Sequence, residues 1–80
     1  MDLAKELAAL EKAEIDLVDA DKRIQRQGAL VEELRRDGHD IEPAVILLDT
    51  LKATRQAMSE HRDLIVRTIE DIRAGKFRSS

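Results

Sequence analysis

The stretch Leu34-Arg35-Arg36-Asp37-Gly38-His39-Asp40-Ile41-Glu42-Pro43-Ala44 decides the fold. Asp37-Gly38 reads as a helix end, because glycine takes the left-handed backbone after a last helical turn at no steric cost. Asp40 reads as the cap of a second helix, with Glu42 at its positive end. Pro43 fits the first turn, where amides lack intrahelical partners in any case. A connection this short forces the flanking helices to run antiparallel.

Outward from this turn, the apolar pattern keeps a helical period in both directions. Towards the N-terminus, Leu3, Leu10, Leu17, Ile24 and Val31 recur every seven residues, each followed three positions later by Glu6, Ala13, Ala20, Gln27 or Leu34. Towards the C-terminus, Ala44, Leu51, Met58, Ile65 and Ile72 recur every seven, with Leu48 and Ile69 in the complementary series. Heptads sustained this long argue for paired helices, and strand alternation is absent. Asp2 can cap the first helix, and Gly75, between Arg73 and Lys76, can close the second. The expectation is one all-α domain, an antiparallel hairpin with a helix over about 2–37, a turn over about 38–40, a helix over about 41–74 and a disordered tail over 75–80.

A turn centred near residue 41 makes facing residue numbers add to about 82. Val31 then meets Leu51, Ile24 meets Met58, Leu17 meets Ile65, Leu10 meets Ile72 and Leu34 meets Leu48. The same register sets Asp21 opposite His61 and Glu6 opposite Lys76. Residues 1–21 carry seven acids against Lys5 and Lys12, whereas residues 64–80 carry Arg67, Arg73, Lys76 and Arg78 against Glu70 and Asp71. Antiparallel pairing lays the acidic end beside the basic one, which sets orientation more than stability.

Composition sharpens the reading. The 80 residues include no cysteine, one proline and one aromatic side chain, Phe77, with 39% charged residues and a net charge of −3. A chain of this size buries only about 60% of the surface its unfolded form exposes. Disulfides are excluded, and His39 and His61 are too few for an all-histidine structural zinc site, so no metal or other cofactor is expected and self-association remains. The longest apolar run, Ala44 to Leu48, is far short of the roughly 20 residues that cross a bilayer. The acidic start differs from a secretory signal, which points to the cytoplasm and away from membranes.

Apolar residues outside the seam point the same way. Ala8, Ile15, Val18 and Leu30 on the first helix, and Val45, Ile46, Leu47, Ala57, Leu64 and Val66 on the second, widen the stripe beyond a two-helix contact. That width suits the roughly three-in-seven face of a bundle. A homodimer forming a four-helix bundle is therefore expected, with another helical protein as the alternative partner. Gly28 admits a hinge in the first helix, though a long helix also tolerates one weak residue.

His61, in Ser59-Glu60-His61-Arg62-Asp63, is the residue with most chemical interest. On a helical bundle it suits a phosphoacceptor, but no kinase box or nucleotide-binding glycine motif accompanies it. A lone histidine bonded to Asp21 or a nearby acid is the commoner arrangement. His61-Arg62-Asp63-Leu64 spells a kinase catalytic loop with Thr68 in place of its magnesium-binding Asn. Ser59 and Asp63 have only a faint likeness to aspartyl-phosphate phosphatases, with Glu60 where that motif needs Gln, and the third helix and basic pattern of a chorismate mutase are absent. Asp16, Asp19 and Asp21 diverge around a helix and form no di-metal pattern. Lys22-Arg23-Arg26 and Arg35-Arg36 suit RNA, but the negative net charge and interleaved acids oppose nucleic acid as a partner.

Ile24-Gln25-Arg26-Gln27, Val31, Leu34, Gly38-His39-Asp40, Ala44, Leu47-Leu48, His61-Arg62-Asp63 and Ile65 together resemble a group of short, uncharacterised bacterial proteins. In that group an Ile-x-x-Gln stretch, a Gly-x-Asp turn and a late His-Arg pair frame two helices. The resemblance implies the hairpin over about residues 20–70 and carries no function. The expected role is a non-catalytic interaction module, with phospho-signalling through His61 and RNA binding as the alternatives.

Overall fold

In the computed structural model, which describes residues 2–76, the chain forms two helices, α1 (Leu3–Arg36) and α2 (Glu42–Arg73), and no strand among those residues. At about 1.5 Å per residue, the 34 residues of α1 extend about 51 Å. The two helices pack along their length as an antiparallel hairpin with extents of 66 × 16 × 13 Å. Its radius of gyration of 18.3 Å far exceeds the roughly 12 Å of a compact 80-residue domain. The shape is a rod with one seam.

The helix ends follow from their residues. Asp2 accepts hydrogen bonds from the Ala4 and Lys5 amides at 3.0 and 3.4 Å, satisfying two of the first-turn donors. At the other end of α1, Gly38 has φ 75°, its amide bonds the Arg35 carbonyl, and the His39 amide bonds the Leu34 carbonyl. Those two bonds define a Schellman closure. Ala74-Gly75-Lys76 repeats it: Gly75 has φ 76°, its amide bonds the Ile72 carbonyl, and the Lys76 amide bonds the Asp71 carbonyl. Gly75 and Lys76, expected in the tail, take part in the turn that closes α2, and the rest of that expected tail, 77–80, lies outside the described residues.

The start of α2 departs slightly from expectation. Ile41 holds the cap position, and its side chain can accept nothing. Asp40, one residue earlier, supplies the acceptor instead, taking the Glu42 amide at 3.0 Å. Ile41 is thereby free to turn its side chain inwards, where it is half-buried.

Leu17 and Val31 on α1 and Ile65 and Ile69 on α2 are the buried core. The other expected seam residues, Leu10, Ile24, Leu34, Leu48, Leu51, Met58 and Ile72, are half-buried, as a two-helix contact dictates. No polar group is buried among the described residues. α1 runs unbroken through Gly28, so no hinge forms there.

The register is one heptad away from the expected one. Arg55 bonds Asp21, and the Gln27 side-chain amide donates to the Ala44 carbonyl at 2.9 Å. Asp16 and Met58 line a common hollow, as do Arg23 and Leu51. These contacts place facing residues at sums of about 75, so Leu17 lies level with Met58 rather than Ile65, and Ile24 with Leu51 rather than Met58. By the same shift Val31 falls level with Ala44, Leu10 with Ile65, and Leu34 with Ile41. The tight Schellman turn is the cause: it brings Ile41 and Ala44 into the seam. A slip of seven residues, about 10 Å along the axis, leaves every heptad position facing the same kind of partner.

Candidate interaction surface

Arg55 and Arg62 occupy the two vacancies in the Leu48…Ile69 series, so both sit at seam positions of α2. Across the seam at their levels stand Ala20 and Ala13, whose single methyl groups leave room for the long arginine stems. The guanidinium heads emerge at the rim. Arg55 Nε lies 2.8 Å from Asp21 Oδ1, with an Nη 3.5 Å from Oδ2, giving a two-point contact across the hairpin. Arg62 Nε lies 2.8 Å from Oδ1 of its neighbour Asp63.

The expected polar pairs are replaced. Asp21 is engaged by Arg55 and does not meet His61. His61 is exposed and borders a hollow of about 290 Å³ with Ala13, Asp16 and Met58. Asp16 within that hollow is tied to Lys12 at 2.7 Å. Lys76 pairs with Asp71 of its own helix at 3.1 Å rather than with Glu6. No group of three or more His, Cys, Asp or Glu residues suited to a metal ion occurs among the described residues. None of their helices is long and apolar enough to cross a membrane.

What the surface offers instead is apolar area. Ile15, Ile46, Val18 and Leu64 are 60%, 58%, 56% and 56% exposed, and Leu47, Leu30 and Leu7 are also open to solvent. They fall on the flanks and backs of both helices, where the pattern outside the seam places them. On α1, Leu7, Leu10, Glu11, Glu14, Ile15 and Val18 enclose an open hollow of about 440 Å³. The total accessible surface is 6102 Å², whereas a monomer of 9.1 kDa typically exposes about 4,900 Å². The excess, about 1,200 Å², compares with the roughly 800 Å² each partner loses in a standard interface.

The sequence pattern located the apolar seam residues but missed Arg55 and Arg62 as seam members, along with the Gln27–Ala44 bond. The signal was present: residues 55 and 62 continue the 48…69 spacing, and Ala13 and Ala20 supply the complementary small positions. Comparison of the chain with protein-family models, with curated proteins and with solved structures gave no match.

Proposed function

We propose that this protein is a non-catalytic interaction module whose working form is a homodimer, two hairpins packed on each other's exposed apolar surface as a four-helix assembly. The observation that carries the reading is the surface: about 1,200 Å² more than a monomer of this mass normally exposes, with seven large apolar side chains open to water. Burying each is worth on the order of 1.5–3 kcal/mol, so an isolated hairpin forgoes much of its available stability.

The reading has a thermodynamic signature. Folding coupled to association makes the melting temperature rise with protein concentration. Thermal unfolding followed by circular dichroism over a hundredfold range of concentration should show that rise. A melting temperature independent of concentration would remove the proposal.

A further inference from the structure

We infer that the second copy docks on the outer face of α1, so that two α1 helices pair antiparallel about a two-fold axis passing between Ile15 and Val18. The inference rests on the homodimer reading and specifies its contact: the two α1 helices meet at the centre and each α2 lies on the outside, so the four helices form a layer rather than a closed bundle.

Along α1, Ala8, Glu11, Ile15, Val18, Lys22 and Gln25 succeed one another at alternating spacings of three and four, a second heptad stripe on the side away from α2. All six are exposed, and Ile15 and Val18 are among the most exposed large apolar residues of the chain. The stripe is its own complement. With facing numbers adding to 33, Ile15 packs on the partner's Val18, Glu11 meets the partner's Lys22, and Ala8 meets the partner's Gln25. Each contact occurs twice, as a two-fold interface requires. The open hollow that Ile15 and Val18 share with Leu7 and Leu10 runs from this face round the flank of α1 towards the seam, and its outer end can receive the partner's Val18 and the aliphatic stem of the partner's Lys22.

Charge selects this face and this direction. Residues 1–21 hold seven acids against two lysines, while residues 22–36 hold Lys22, Arg23, Arg26, Arg35 and Arg36 against Glu32 and Glu33. Antiparallel pairing of α1 with itself brings the acidic half of each copy against the basic half of the other. Glu11 and Lys22 have no ion-pair partner among the described residues of the hairpin. The rival face, on the back of α2, carries Ile46 and Leu64. Bringing Ile46 onto the partner's Leu64 makes facing numbers add to 110, which sets Asp49 opposite the partner's His61 and Glu42 opposite the partner's Thr68, so that face offers no carboxylate–ammonium pair of the 11–22 kind. The area also fits, since a standard interface removes roughly 800 Å² per partner, within the excess the hairpin exposes.

The test is a charge swap at the 11–22 contact, with the dimer dissociation constant read by sedimentation and helicity checked by circular dichroism. Glu11→Lys alone sets Lys against Lys twice, and Lys22→Glu alone sets Glu against Glu twice, so each should dissociate about tenfold more readily than wild type. An equimolar mixture of the two variants restores both contacts and should recover wild-type affinity as a heterodimer. Wild-type affinity in each single variant, with dissociation on Leu64→Asp instead, would overturn the α1 face while leaving the homodimer reading intact. A monomeric wild type would overturn both.

Discussion

Arg55 of α2 grips Asp21 of α1 through two nitrogen–oxygen contacts of 2.8 and 3.5 Å, and this pair records the register of the hairpin. Its side chains are 37% and 52% exposed, so the pair specifies alignment more than it stabilises. Asp21→Asn should lower unfolding free energy by less than about 1 kcal/mol, measured by urea denaturation, with the loss shrinking in high salt.

The register itself can be read by crosslinking. The chain has no cysteine, so Leu17→Cys with Met58→Cys should form an intramolecular disulfide under mild oxidation. Leu17→Cys with Ile65→Cys should not, because seven residues separate the sites by about 10 Å along the axis and a disulfide needs Cα atoms within about 7 Å. Ready closure of the 17–65 pair would place the helices in the other alignment.

That alignment was the part of the fold least legible in sequence. The heptads of Leu3 to Val31 and Ala44 to Ile72, the caps at Asp2, Gly38 and Gly75, and the antiparallel turn all follow from local chemistry. A slip by one heptad conserves every apolar pairing, so hydrophobic pattern is silent on it. Loop geometry decides it, through Ile41 turning inwards and Asp40 reaching Glu42. Arg55 and Arg62 were hidden for a related reason: a charge at a seam position reads as an interruption until the alanine facing it is known. The exposed stripe of α1 was partly visible in Ile15 and Val18, but its self-complementarity emerges only once the opposite side of α1 is assigned to α2.

Two glycines should respond in opposite directions. A methyl group at Gly28 meets nothing within 4 Å in a continuous helix, so Gly28→Ala should raise stability by about 1 kcal/mol. Gly38 sits at φ 75°, and Gly38→Ala should lower stability by about 1 kcal/mol from backbone strain alone. Thermal melts at one protein concentration check both.

Core and surface substitutions should separate cleanly. Leu17 is 6% exposed, and Leu17→Ala should cost about 2–3 kcal/mol, near the low end for buried leucine because a hairpin can partly collapse around the gap. His61 is exposed on the rim of the hollow with Asp16, and His61→Ala should change stability by less than about 0.5 kcal/mol. A large loss at His61 would show that it packs or bonds in a way the hairpin alone does not provide.

Self-association is the claim on which the functional account stands, and sedimentation equilibrium of the wild-type chain at micromolar concentration measures it most directly. A homodimer gives a helical species of twice the 9.1 kDa chain mass that dissociates on dilution with loss of helicity. A fully helical species of 9.1 kDa, unchanged by dilution, would contradict it.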